Sequence, residues 1–252
     1  MEPVKAVAFD LDGTIYIGDT IVDGVFETLN LLKKKNIQVF YFTNNSAKTR
    51  KDIHDKLHKL GLNPAINVVY NTTYATAEYL KKNNFRKVYC CGSSGLQEEM
   101  ISAGMACVNN EESPEAVVVG LDHGFNYEKM TIALNILRKK DCAFIICNRD
   151  RTYPVENSKL MPGCGPIAAA IECAASRQPD VIIGKPETFM LELLCKDWNL
   201  RNKEILIVGD TFDSDIAMAE AYGSPSLLLD MNNECSCKTG KIRSIIEIEN
   251  YI

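Results

Sequence analysis

Continuous apolar runs alternate along the chain with stretches of helical periodicity. The runs at 5–9, 37–42, 88–91, 116–120, 143–147, 181–183, 205–208 and 226–229 are strand-length and apolar at nearly every position, the pattern of strands covered on both faces. Helices are expected between them, at 25–36, 46–61, 72–82, 94–103, 127–139, 165–176, 187–198 and 214–222. Segment 25–36 ends on lysines and Asn36. Segment 46–61 opens on Ser46, a good N-cap, and closes on Gly61, a good helix stop. Strand and helix in steady alternation predict an α/β fold with mainly parallel sheets.

Composition narrows the class without naming a function. A chain of 252 residues has room for one large domain or two smaller ones. Its net charge of −5 and pI of about 5.4 argue against nucleic acid or an anionic membrane as the main partner. No apolar run has the length of a membrane helix, and the opening "MEPVKAVAFD" lacks a signal-peptide pattern. The expectation is a cytoplasmic protein whose ten cysteines are reduced thiols, since their spacings fit no zinc site.

The polar punctuation carries the chemistry. Four apolar runs end abruptly: "AVAF" in "DLDGT", "IQVFYF" in "TNNS", "DVII" in "GKP" and "EILIV" in "GDTFDSD". In an open parallel sheet, ligands bind at the carboxyl ends of the strands. If these four strands are neighbours, one sheet edge collects Asp10, Asp12, Thr43, Lys185, Asp210 and Asp215. So many carboxylates do not crowd together unneutralised. A divalent cation with hard oxygen ligands resolves the crowding, and Mg²⁺ suits such a site. A carboxylate nucleophile also fits: it divides a slow displacement into two steps, and a second carboxyl can serve as acid in one and base in the other.

The ordered set "DLDGT", "TNN", "GKP", "GDTFDSD" resembles the four motifs of the haloacid dehalogenase (HAD) superfamily of phosphotransferases, over essentially the whole chain. The stretch from Asp10 to Thr43 holds only a helix and a strand. The stretch from Thr43 to Lys185 holds more than half the chain, which implies an inserted domain, as in the type-two cap group. "GLDHGFNYEKM" (120–130), "CNRDRTYP" (147–154) and "MPGCGPIAAAIE" (161–172) are similar to cap segments of the NagD-like, nitrophenylphosphatase-like subfamily. The resemblance implies a Rossmann-like, doubly wound parallel-sheet core at 1–76 and 181–252 with an α/β cap at 77–180.

It also implies Mg²⁺-dependent hydrolysis of a small phosphomonoester through an aspartyl-phosphate. The substrate would be a sugar phosphate or nucleoside monophosphate, alternatively phosphoglycolate or pyridoxal phosphate. Asp10 would be the nucleophile and Asp12 the acid and base. Metal ligands would be the Asp10 carboxylate, the Asp12 backbone carbonyl and Asp210. Asp215 and Thr14 would support that shell, while Thr43, Asn44, Asn45 and Lys185 would bind the phosphoryl group. Ser214 precedes Asp215 where the family usually has threonine; the hydroxyl is kept. In the cap, Asn148 and Asp150 match the family's Asn-x-Asp pattern, and with Arg149 and Arg151 they would contact the leaving group. Relatives often form homo-oligomers through their caps.

Other readings compete. A dehalogenase would lack the second aspartate and the metal. A phosphomutase would carry its cap after the first motif. A non-catalytic, phosphometabolite-binding regulator would have lost Asp10 or Asp210. "GCGPIA" (163–168) fits a dinucleotide-binding pattern but follows "TYPVENSKLMP", read here as a loop. "HDKLH" (54–58) places two histidines one helical turn apart among lysines and reads as a solvated helix face.

Overall fold

The computed structural model describes residues 3–108, 113–139, 141–155, 159–236 and 239–252. The chain forms two compact units, 1–43 with 54–70 and 185–252, and 44–53 with 71–184.

Among the described residues the first unit carries a six-stranded sheet. Its order is Lys241–Ile242, Ser226–Leu229, Ile205–Gly209, Ala6–Asp10, Gln38–Thr43 and Val69–Asn71. The pairings of the first five are parallel. Ala6–Asp10 and Ile205–Gly209 are buried at every position, as their unbroken apolar character requires. Register places Asp10 beside Phe42 and Phe9 beside Val208. Thr43 and Asp210 therefore leave neighbouring strands at the same end of the sheet as Asp10. Helices Val25–Lys34, Phe189–Asp197 and Ala217–Tyr222 belong to this unit.

The second unit has its own parallel sheet, ordered Val181–Ile182, Ala143–Ile146, Ala116–Val119, Lys87–Cys91 and Ala106–Cys107. Helices Tyr127–Leu137 and Cys164–Ala175 contribute Ala133, Ile136, Ile167 and Ile171 to a core with Val117, Val119, Phe144 and Ile146. Each fully buried aliphatic side chain there contributes about 1.5–3 kcal/mol. Helix starts follow short polar side chains: Asn71 accepts from the Tyr74 amide at 3.2 Å and Asn126 from the Lys129 amide at 3.0 Å.

Four expectations change. The run at 181–183 belongs to the second unit, because Val181–Ile182 pairs with Ala143–Ile146; the first unit resumes at Lys185. The inserted unit is also wider than 77–180, taking in 44–53 and 71–76. The helix expected from Ser46 runs over Arg50–Lys59. Its cap is Thr49, whose hydroxyl accepts from the Asp52 amide at 3.0 Å while Asp52 accepts from the Thr49 amide at 3.0 Å. Ser46 is buried instead, its oxygen accepting from the Leu121 amide at 3.0 Å. Lastly, "TYPVENSKLMP" is no plain loop. Thr152–Val155 and Lys159–Pro162 pair antiparallel, so the glycines after it still follow no parallel strand of a dinucleotide site.

Candidate active site

The centre of the first unit's site is an ammonium between two carboxylates. Lys185 is buried and donates to Asp10 Oδ1 and to Asp215 Oδ1, both at 2.6 Å. Asp10 is the last residue of its strand. Asp215 sits in a π-helical turn, Phe212–Ile216, that leads into helix Ala217–Tyr222; such turns often re-aim side chains at functional sites. Its other oxygen accepts from the Thr211 amide at 3.2 Å, so both ends of this carboxylate are held. Asp210, directly after the buried strand Ile205–Gly209, is exposed. Asp10, Asp210 and Asp215 each bring an oxygen within 4.8 Å of the others.

Gly13 is required where these strands meet. Its φ is +93°, and a Cβ there would strike the Asp210 carboxylate. Thr43 is buried at the end of its strand.

Charge is not balanced by lysine alone. Burial raises the Asp10 carboxyl well above the usual range; Lys185 opposes this, and Asp215 and Asp210 add to it. Asp210 is pushed up to about 6, first by desolvation and then by Asp215. On Lys185, burial favours the neutral amine, but Asp10 and Asp215 outweigh it and hold the ammonium charged. Hard oxygen donors with uncompensated negative charge fit a divalent cation. Asp10 and Asp210 are the side chains that would hold it.

Asp12 lies past the strand end with solvent access. Partial desolvation raises its carboxyl; Lys56, the Tyr16 hydroxyl and Lys185 pull it down, in that order. Tyr16 donates to Asp12 Oδ2 at 3.4 Å, and the Lys56 ammonium stands 3.8 Å from the centre of the Tyr16 ring. Thr14 differs from expectation. Leu11 O accepts from the amides of Thr14, Ile15 and Tyr16, and this tight turn buries the Thr14 hydroxyl with no hydrogen-bond partner.

In the second unit, the residues after Thr43 form a braced turn. Asn45 Oδ1 accepts from the amides of Ala47 and Lys48, both at 3.0 Å. Thr72 Oγ1 donates to the carbonyls of Asn44 and Asn45 at 3.0 and 2.9 Å, and Thr73 Oγ1 to Lys48 O at 2.8 Å. Asn44 Nδ2 donates to Asp150 Oδ1 at 2.9 Å. The side chains of Asn44 and Asn45, expected to bind the phosphoryl group, are thus engaged by protein groups, Asn45 within the turn and Asn44 on Asp150.

The loop 148–151 also departs from expectation. Asn148 is buried; it donates to Asn44 O at 2.7 Å and accepts from the Asp150 amide at 3.0 Å. Asp150 is the partner of Asn44. Arg149 pairs with Glu172 at 2.9 Å. Arg151 is exposed, and no ion pair holds it among the described residues. Of the four residues expected to meet a leaving group, three brace the loop. Gly163 and Gly165 lie against the backbone of Arg149 and Asp150, and a Cβ at Gly165 would sit 2.7 Å from Arg149 O. Close approach to this loop accounts for the glycines of "GCGPIA".

Comparison with known proteins agrees with the geometry. The model of the family described as haloacid dehalogenase-like hydrolase matches residues 7–106, and a second HAD-hydrolase-like model matches residues 182–242. Phosphoglycolate phosphatase 2 of Arabidopsis thaliana is 33% identical over 251 residues, covering 90% of this chain and 83% of the relative. Glycerol-3-phosphate phosphatase of Homo sapiens is 33% identical over 252 residues, covering 89% and 78%. The solved p-nitrophenyl phosphatase from Archaeoglobus fulgidus superposes with a TM-score of 0.91 at 28% identity, covering 99% of this chain and all of that one.

The chain belongs to the haloacid dehalogenase superfamily. It falls with the NagD and p-nitrophenylphosphatase proteins and is a phosphoric monoester hydrolase. Sequence reasoning overlooked two residues beside Asp12 in this phosphatase. Tyr16 is four positions on, within "DLDGTIY", where a polar-tipped aromatic in a tight turn was the available signal. Lys56 comes from a distant helix and left none.

Proposed function

We propose that this phosphatase hydrolyses small phosphomonoesters through an aspartyl-phosphate on Asp10, with Mg²⁺ as cofactor. The observation that supports this most is the buried Lys185 bridge at 2.6 Å to both Asp10 and Asp215. It orients a carboxylate at a sheet edge and places fixed positive charge beside it. Mg²⁺ when bound supplies charge that screens the phosphoryl oxygens from the carboxylates.

An Asp10 oxygen bonds to phosphorus as the ester P–O bond breaks, and Asp12 gives its proton to the departing oxygen. The raised Asp12 carboxyl suits that donation. Water then gives a proton to the Asp12 carboxylate as its oxygen bonds to phosphorus. The Asp10–P bond breaks, releasing inorganic phosphate and restoring both residues. Thr43 donates to a phosphoryl oxygen. Arg151 meets the leaving group and favours esters carrying a second anionic group, of the kind named for the phosphoglycolate-hydrolysing relative.

The test is phosphate release from nitrophenyl phosphate, glycerol 3-phosphate, phosphoglycolate, a hexose phosphate and a nucleoside monophosphate. Wild type and Arg151→Ala are compared with Mg²⁺ and with excess chelator. Turnover with Mg²⁺, its loss in chelator, and a further loss of about tenfold for Arg151→Ala on phosphoglycolate relative to nitrophenyl phosphate are expected. Full activity in chelator overturns the metal role, and an equal effect on every ester overturns the role of Arg151.

A further inference from the structure

Two of the chain's three histidines have no part in the hydrolysis proposed above. His54 and His58 sit one turn apart on helix Arg50–Lys59, where i and i+4 side chains share a face. Beyond the helix the chain doubles back. Gly61 (φ +86°) and Asn63 (φ +49°) adopt the left-handed conformation, and the amides of Gly61 and Leu62 bond to His58 O at 2.9 Å and Leu57 O at 3.0 Å. This reversal carries the Pro64 carbonyl back over the two rings.

The result is a triangle of donor atoms. His54 Nε2 and His58 Nε2 are 3.0 Å apart, and Pro64 O lies 3.1 Å from the first and 3.2 Å from the second. No protonation state gives all three edges of this triangle a hydrogen bond at once. An attractive contact between the rings needs a proton on one Nε2 and a lone pair on the other. The Nε2 without a proton then turns its lone pair toward the carbonyl lone pairs. With both nitrogens protonated, two N–H groups face each other.

A cation accepting all three lone pairs makes every contact favourable. Ligands about 2.0–2.1 Å from a tetrahedral ion stand about 3.3 Å from one another, near the observed edges. His54 is also set for ligation. Its Nδ1 is 3.2 Å from Asp55 Oδ1, an acceptor that keeps the ring proton on Nδ1 and the lone pair on Nε2.

We propose that His54, His58 and the Pro64 carbonyl form a binding site for a borderline divalent cation of the Zn²⁺, Ni²⁺ and Cu²⁺ class, separate from the carboxylate centre. Imidazole nitrogens select this class over Mg²⁺ and Ca²⁺. Remaining positions are filled by water, since His58 is exposed. The ion ties the end of helix Arg50–Lys59 to the turn that follows it.

Zn²⁺ is the probe, titrated calorimetrically into tag-free full-length protein. Wild type, His58→Gln, His54→Gln and Asp210→Asn are compared, because the carboxylate centre can also take Zn²⁺. Wild type is expected to bind one more equivalent than either histidine variant, with micromolar affinity. Asp210→Asn is expected to keep the histidine-dependent equivalent. Zn²⁺ is expected to raise the melting temperature of Asp210→Asn but not of Asp210→Asn/His58→Gln. Crystals soaked in Zn²⁺ are expected to show an anomalous peak within bonding distance of both Nε2 atoms and Pro64 O. Equal stoichiometry in wild type and His58→Gln, or anomalous signal at the carboxylates alone, overturns the proposal and leaves an ordinary histidine pair.

Discussion

Replacing Lys185 with methionine keeps much of the side-chain volume and removes the charge. At 2.6 Å and an effective dielectric of about 20, each contact to Asp10 and Asp215 is worth about 6 kcal/mol of Coulomb attraction. Burial of all three groups offsets most of this, and deleting one partner of a buried ion pair typically costs about 3–5 kcal/mol. With about 2–4 °C of melting temperature per kcal/mol in a chain of this size, Lys185→Met is expected to melt about 6–20 °C lower. Turnover is expected to fall about 10²–10³-fold, the usual scale for a lost electrostatic contact to the reacting groups. Two further measurements separate this cause from simple loss of packing. Mg²⁺ is expected to recover part of the melting temperature, since it offers positive charge to the same carboxylates. In an Asp215→Asn background, Lys185→Met is expected to cost less than in wild type, because fewer charges are left unpaired. Thermal unfolding and phosphate release on the four proteins, with and without Mg²⁺, provide the numbers. Additive costs in the double variant, or no response to Mg²⁺, would refute the reasoning.

Two other predictions concern Asp12 and Glu204. Asp12→Asn is expected to cost least on nitrophenyl phosphate, whose leaving group needs little protonation, and most on glycerol 3-phosphate; kcat/KM on the two esters measures this, and an equal loss on both contradicts the acid role. Glu204 is buried and accepts from the Arg201 side chain at 2.8 Å and from Lys5 at 2.7 Å. These partners, Arg201 first, lower its carboxyl to about 2 from an ordinary 4.5. Its folded value lies below its unfolded one, so its stabilisation is present above the ordinary value and is lost as pH falls toward about 2. Glu204→Gln is expected to be less stable than wild type to urea at neutral pH, with the gap narrowing once pH drops below about 4.5; a gap independent of pH contradicts it.

The core of this phosphatase was legible because its strands are buried on both faces and their ends are polar. An apolar run ending in "DLDGT" or "GDTFDSD" states both the strand and the edge on which it stops. The run at 181–183 shows the limit of that logic, since apolar character marks burial and not the sheet a strand joins. The inserted unit was less legible because its polar residues serve its own backbone. Asn148 matches a binding pattern yet is buried against Asn44 and Ser46. The buried threonines after Asn71 brace the turn at 44–48 through backbone carbonyls. Carbonyl partners have no residue type, so the sequence carries no trace of them. The same reason hid Pro64 behind a histidine pair that read as solvated surface.

The central claim is that Asp10 carries the phosphoryl group. Its most direct test is acid quenching of the enzyme during turnover of nitrophenyl phosphate with Mg²⁺, followed by mass spectrometry of the peptide that spans 7–16. A phosphoryl adduct on Asp10, absent from Asp10→Asn and accumulating when Asp12→Asn slows the second step, is the predicted result. A wild-type enzyme that turns over with no adduct on Asp10, or an Asp10→Asn variant that retains substantial hydrolysis, would contradict it.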